Sequence, residues 1–506
     1  MRRTITMLTT LLLAAGIARA DWPTDPSGPL FVGPLTNAFN ERAGILPGAD
    51  GSVWLAWQEA YCIGEFLLQR VSIDGDLLAP MGIAIQEDPS CGFHLVPAMA
   101  VIGDSIVATR RLSSLQETPV QRYSSAGSAL WFPPFSHPAP LAVEVVAGIG
   151  EGDALIVSQG WDTVHVDRID PSGDPVWDEQ LVFNAPGGAN FDIVSFVPDA
   201  AGGGYVFWEA PAGYVRTMHA MRITGDGQAA WETPVAVVST LLPHRGVSRH
   251  THSEMVPDGQ GGAVVVYTEG FEQGSTPADL FMQRILPDGS LAFPMPGVRV
   301  SLSDERQFDV DLESDPVSGD MLITWRHGLF DAQWVYAQRM SISGDRLWGE
   351  DGIELSALDV STGSFDSVWN DGKLKTGVGS PEGVSLVQAD ATGLTDPNPV
   401  LVGSGGPADF VKIAASGDGV VVSWQVDGAS PEGMLVAQRV NRAGQLGGPA
   451  LCPADLNGDR SLDFFDVSAF LSAFIGQDPI ADFTGDGEWN FFDISAFLGE
   501  FSTGCP

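Results

Sequence analysis

The sequence predicts an all-β fold, a β-propeller of about eight blades or alternatively seven, followed by a small α-helical module. Three observations carry this expectation: a phrase that recurs along most of the chain, a short β-branched and aromatic run ahead of many of its copies, and a duplicated loop–helix pattern near the end. The expected organisation is a leader over 1–20, a repeat domain over 21–450 and a duplicated loop–helix pair over 451–506.

The leader comes first. MRRTITMLTTLLLAAGIARA places Arg2 and Arg3 before an apolar run from Met7 to Ile17 and ends on the small residues Ala18 and Ala20, the pattern of a cleavable secretory signal. The run is about half the roughly 20 residues that cross a bilayer, so the expected protein is exported, extracellular or held at the cell surface, with no membrane span. Lys and Arg total 25 against 64 Asp and Glu, a formal charge of −39 that disfavours nucleic acid and anionic lipid as partners. The acidity is dispersed, as on a solvated surface, and only its C-terminal cluster has metal-loop spacing. Cysteine outside the cytosol points to disulfides, and chain position pairs Cys62 with Cys91 and Cys452 with Cys505.

The repeat phrase runs Gln-Arg, an apolar residue, polar residues, Gly, then an apolar or Trp position. It occurs as QRVSIDGDLL (69–78), QRYSSAGSALW (121–131), DRIDPSGDPVW (167–177), MRITGDGQAAW (221–231), QRILPDGSLAF (283–293), QRMSISGDRLW (338–348), the degenerate QADATGLT (388–395) and QRVNRAGQL (438–446). The seven intervals between Arg70 and Arg439 average about 53 residues, a blade-sized period. Runs such as GSVWLAWQE (51–59), GGGYVFWEA (202–210), GGAVVVYTE (261–269), GDMLITWRH (319–327) and GDGVVVSWQ (417–425) read as strands, being short, rich in Val, Ile, Trp and Tyr, and bounded by Gly and Asp. With 60 Gly and 35 Pro, a helical solenoid is excluded in favour of a turn-dense sheet protein. A unit of this size cannot bury both faces of its sheet alone, so units must stack, and closure into a ring leaves only short edges. GPLFVGPLTN (28–37) resembles the tail of a repeat that the last copy lacks, which predicts a strand-exchange clasp. The pattern is similar to the β-propellers of secreted bacterial proteins. Seven blades result if the weak copy at Gln388 is an insertion.

A residue repeated in every unit is expected to make the same contact in every unit. The recurrent Arg70, Arg122, Arg168, Arg222, Arg284, Arg339 and Arg439 are therefore read as ties to a carboxylate or carbonyl rather than as a ring of ligand-binding cations. Trp57, Trp208, Trp325 and Trp424 are read as blade core.

The sharpest motif is a 27-residue duplication, ADLNGDRSLDFFDVSAFLSAF (454–474) and ADFTGDGEWNFFDISAFLGEF (481–501). Positions 1, 3, 5, 9 and 12 of the first loop hold Asp455, Asn457, Asp459, Asp463 and Asp466, with the Ser461 carbonyl at position 7. In the second they hold Asp482, Thr484, Asp486, Asn490 and Asp493, with the Glu488 carbonyl at position 7. Calcium takes six to eight oxygens, and a 12-residue turn directs alternate short side chains inward to supply them, so two calcium ions are expected. Position 6 is Arg460 in one loop and Gly487 in the other, so charge count and turn geometry favour different sites. After each loop Val467, Phe470, Leu471, Phe474 and Ile494, Phe497, Leu498, Phe501 recur at helical spacing and predict one apolar face per helix.

This segment resembles the dockerin family, the type ending in Gly-Cys, here Gly504 and Cys505. The resemblance implies a non-catalytic module that folds on calcium and docks a cohesin-type or cell-surface protein. Positions 10 and 11 are Phe464–Phe465 and Phe491–Phe492 where many dockerins carry small hydroxyl residues, a departure that points away from an ordinary cohesin partner.

No nucleophile, phosphate-loop, zinc-protease or dinucleotide motif occurs, so no catalytic residue is assigned. His244, Arg245, Arg249, His250 and His252 form the best polar cluster of the large domain, but without a carboxylate at ligand spacing they read as polar surface. The expected function is a secreted binding or scaffold propeller with a carbohydrate or protein ligand, anchored through its tail. The alternative is a polysaccharide-degrading hydrolase or lyase carrying the same tail.

Overall fold

In the computed structural model the described residues are 22–35, 43–58, 66–79, 82–86, 98–109, 118–132, 134–137, 142–150, 152–185, 192–199, 201–212, 215–238, 253–269, 279–329, 332–358, 364–404, 406–426, 433–448, 454, 456, 462–477, 481, 483–484 and 488–503. Its strands form eight antiparallel four-stranded sheets. Seven are continuous in sequence, spanning 43–86, 99–137, 142–184, 192–238, 253–299, 307–358 and 365–404. The eighth combines 408–440 with the N-terminal strand Leu30–Leu35. The first strand of each blade lies innermost and packs against the first strand of the next, and Ala408–Ser416 meets Ala43–Pro47 to complete the circle. The weak copy at Gln388 is therefore a true seventh blade within a ring of eight.

Closure is made by the expected clasp. Leu30–Leu35 runs antiparallel to Gly433–Val440 as the outermost strand of the last blade, with Leu30 opposite Ala437 and Leu35 opposite Gly433. Ahead of it, the buried Trp22 donates from its indole Nε1 to the Ile73 carbonyl of the first blade at 3.0 Å, and Gln438 donates to the Pro23 carbonyl.

The second strand of each blade is buried on both faces, which explains runs such as Val53–Gln58 with no polar alternation. The apolar clusters join neighbouring blades. One combines Leu155, Val157 and Val164 with Val206 and Trp208, and another combines Val264 and Met282 with Ile323 and Trp325. Trp57, Trp208, Trp325 and Trp424 are all buried, as expected.

The recurrent Arg residues lie at the end of the ring that carries the turns between first and second strands. Arg168 pairs with Asp153, Arg222 with Asp199, Arg284 with Asp258 and Arg439 with Asp418, each within one blade. Several also reach the next blade: Arg122 donates to the Gly152 carbonyl at 2.8 Å and Arg339 to the Ala391 carbonyl at 3.0 Å. The Trp closing the phrase ties the same seam. Trp131, Trp177, Trp231 and Trp348 donate from Nε1 to Pro171, Gly225, Pro287 and Ala391 carbonyls at 3.0–3.2 Å. At Gly227 (φ 82°) a Cβ would lie 2.7 Å from the Trp177 ring, so that turn needs glycine both for its left-handed backbone and for this contact. The last copy of the phrase has no Trp, and Trp22 fills that role from the other end of the chain.

Two helices follow, α1 (Phe464–Ile475) and α2 (Phe491–Thr503). Among the described residues no helix is long and apolar enough to cross a membrane.

Candidate functional site

The C-terminal pair is built from the helix starts. Asp463 caps α1, its Oδ1 accepting the Phe465 N–H at 2.7 Å, while Asp466 Oδ2 accepts the Asp463 N–H at 3.0 Å. This is a capping box, with Asp where Glu is usual. The second unit repeats it: Asn490 Oδ1 accepts Phe492 N–H at 2.8 Å and Asp493 Oδ2 accepts Asn490 N–H at 2.8 Å. Asp493 Oδ1 also receives the Thr484 N–H at 3.1 Å and its hydroxyl at 2.9 Å. Asp466 and Asp493 are wholly buried, and the N–H of Asn490 holds the Asp493 carboxyl below its ordinary range.

Of the sequence-predicted ligands, Asp463, Asp466, Thr484, Glu488, Asn490 and Asp493 are described, and Asp455, Asn457, Asp459, Ser461, Asp482 and Asp486 lie outside the described residues. Among the described residues no three carboxylates, histidines or cysteines are gathered as a metal site. The described donors suit calcium in kind. They are hard oxygens, the position-12 carboxylates are buried at the loop roots, and at position 9, whose ligand commonly acts through water, Asp463 spends one of its two oxygens on its helix and Asn490 its single amide oxygen.

The two units pack through Phe470 and Phe497, whose rings stack at 4.1 Å and 3°, with Phe483 edge-on to both. Ala454, Ala481, Val467, Phe474, Ile494 and Phe501 complete this core. Leu471 and Leu498 depart from expectation: both are half-exposed, because α1 and α2 meet along a stripe too narrow to cover the i+4 position. Phe464, Phe465, Phe491 and Phe492 are 65–75% exposed and stand clear of the core. The four cysteines and the cluster from His244 to His252 lie outside the described residues.

A second polar group was missed by sequence reading. Glu254, Asp311, Asp366 and Lys412 lie on the innermost strands of blades five to eight and form a staircase across the seams. Glu254 Oε2 accepts the Leu312 N–H at 2.8 Å, Asp311 Oδ2 the Ser367 N–H at 2.7 Å, and Asp366 Oδ2 the Ile413 N–H at 2.8 Å. Asp366 Oδ1 also receives Lys412 Nζ at 2.8 Å. Ser367 Oγ lies 3.0 Å from both the Thr324 and Thr376 hydroxyls.

Glu254, Asp311 and Asp366 lie in the field of the Lys412 ammonium, and Glu313 lies in that of Asp311 and Asp366. Burial, reinforced by the Asp366 charge, raises Asp311 to about 7, and burial with the Asp311 charge raises Glu313 to about 8. Glu254 is driven well above the carboxylate range by burial first and Asp311 second. Lys412 is held charged chiefly by Asp366. Acidic letters inside otherwise apolar strand segments, SEMVP and QFDVDLES, were the available signal, obscured by the acidity of the whole chain.

No family model matches the chain, and no curated protein matches it. Among solved structures it is similar to the polysaccharide lyase Uly1, at 9% identity and TM-score 0.43 over 67% of this chain and 89% of that one. It is similar to the Dos1 propeller at 11% identity and TM-score 0.43, over 80% of this chain and 95% of that one. The Penicillium chrysogenum alpha-L-arabinanase complexed with arabinobiose gives 14% identity and TM-score 0.33, over 57% and 90%. Likenesses this distant lend no functional argument, and the architecture stands on the chain's own strand order.

Proposed function

We propose that this chain is an exported calcium-binding protein whose propeller is a binding or scaffold domain, anchored or assembled through its C-terminal loop–helix pair. The observation that carries the reading is the pair of buried carboxylates, Asp466 and Asp493, at the roots of two loop–helix units locked by the Phe470–Phe497 stack. With the oxygens of Asp455, Asn457, Asp459, Ser461 and Asp463, and of Asp482, Thr484, Asp486, Glu488 and Asn490, they would hold one ion each. Bound calcium would neutralise carboxylates that otherwise repel within each loop. The exposed Phe464–Phe465 and Phe491–Phe492 pairs suit an apolar contact with a cohesin-type or cell-surface protein of modified surface.

A binding domain is favoured over a polysaccharide hydrolase or lyase by the inner seams. Glu254, Asp311 and Asp366 each accept a backbone N–H of the adjoining blade, a commitment to assembly rather than to a substrate. Calorimetric titration of the mature chain tests the reading. Two calcium ions per chain, with helical signal lost on chelation, are expected. A chain that binds no calcium would overturn it.

A further inference from the structure

Of the fourteen tryptophans in the chain, Trp161 alone is exposed, at 63%. It stands at the tip of the turn that joins Asp153–Gln159 to Thr163–Ile169 in the third blade. Second-to-third strand turns lie at the same end of the ring as the connections between blades, opposite the end occupied by the Arg ties.

The turn is held from beneath. Gly160 N–H donates to the Thr163 carbonyl at 2.7 Å, and Ala185 N–H to the Asp162 carbonyl at 2.8 Å. A Cβ on Gly160 would come within 2.2 Å of Thr163 Oγ1, so the backbone lies flush against the next strand. Below the tip, Gln180 Nε2 donates to Asp167 Oδ2 at 2.6 Å, and Gln180 Oε1 lies 2.8 Å from His165 Nδ1. The Gln180 amide nitrogen donates to the Asp167 carboxyl, which turns its carbonyl oxygen to His165 Nδ1 as an acceptor. His165 Nε2 lies 2.9 Å from the Thr163 hydroxyl. The backbone that carries the indole is therefore ordered before a ligand arrives, leaving only the side chain to be fixed.

The chemistry around the tip selects the ligand. The indole face carries the negative side of a ring quadrupole and attracts the weakly positive C–H face of a pyranose ring. Beside it, the exposed Asp162 offers a carboxylate that accepts from neighbouring hydroxyls. Asp162 and the chain's formal charge of −39 both repel carboxylated or sulfated polymers. We infer that Trp161 and Asp162 form a binding subsite for a neutral saccharide on the connection-bearing end of the propeller. This rests on the binding-domain reading above and narrows its ligand.

The test uses the full mature chain loaded with calcium, run in native affinity gels containing a soluble β-glucan, xylan, galactomannan or arabinogalactan, with polygalacturonate as the charged control. Retardation by at least one neutral polymer and none by polygalacturonate is expected. Trp161→Ala should weaken the retarding interaction tenfold or more, Trp161→Phe should retain part of it, and both should melt with the parent chain. Silence across the neutral polymers, stronger binding of polygalacturonate, or undiminished binding by Trp161→Ala would each overturn the subsite. Two bound calcium ions without retardation would defeat this inference and leave the anchored propeller standing. Retardation without calcium binding would do the reverse.

Discussion

Trp22 and Ile73, 51 residues apart, meet through an indole-to-carbonyl hydrogen bond of 3.0 Å that joins the start of the described chain to the turn of the first blade. The same bond recurs between neighbouring blades wherever the phrase ends in Trp, so the ring is closed by the device that builds it. Trp22 is wholly buried against Val53, Val71 and Leu435. Trp22→Ala should cost about 3–5 kcal/mol, the range for emptying a large aromatic site, read as a lowered urea midpoint of the propeller transition. Trp22→Phe should recover most of the packing and lose the hydrogen bond.

The Arg ties should differ in strength according to burial. Arg339 engages both Asp315 and Asp320 at 2.9 and 2.8 Å with little solvent access, whereas Arg70 meets an exposed Asp50. Removing one partner of a buried pair strands the other charge, so Arg339→Met should destabilise by about 3 kcal/mol or more. Arg70→Met should cost no more than about 1 kcal/mol. Equal effects in parallel denaturation curves would contradict the ranking.

The inner seams predict an unusual pH response. Asp311 and Glu313 have folded values raised to about 7 and about 8, above those of the unfolded chain. Between the ordinary carboxylate range and those values the folded chain binds the extra protons, so stability falls as pH rises. The slope is on the order of 1 kcal/mol per pH unit per group while each releases its proton. Facing them are Glu254, Asp366 and Lys412 with the N–H groups of Ser367 and Trp369, and the single ammonium does not offset the added charge. These two carboxyls should therefore raise melting at pH 5.5 relative to pH 8.5, against the opposite pull of His219, His327 and Lys375, whose pKa values burial lowers. Asp311→Asn with Glu313→Gln should remove that contribution.

In the C-terminal pair, two kinds of phenylalanine should respond oppositely. Phe470→Ala opens the stacked core and should cost about 3–5 kcal/mol. Phe464→Ser with Phe465→Ser removes exposed rings and should stay within about 0.5 kcal/mol per site. Helical signal, followed by circular dichroism with and without added calcium, separates them. Loss of that signal in the Phe464/Phe465 variant would show that those rings support the module.

Local repetition is what the sequence by itself determined. The phrase from QRVSIDGDLL to QRVNRAGQL announces the sheets, the missing tail of the last copy announces the clasp, and the spacing of Phe470 and Phe497 announces two helices with a shared core. These features are written between chain neighbours, through periodicity and turn chemistry, and a repeated Arg or Trp exposes its role by recurring. Tertiary structure decided what happens across the seams. Glu254 meets Leu312 across 58 residues and Asp311 meets Ser367 across 56, about one repeat apart, but on innermost strands that no recurring phrase marks. It also decided that Trp161 and the Phe464–Phe465 pair face solvent while chemically identical residues are buried. The physical reason is that an apolar side chain has the same intrinsic preference everywhere, and only the blade or helix that arrives opposite it removes it from water.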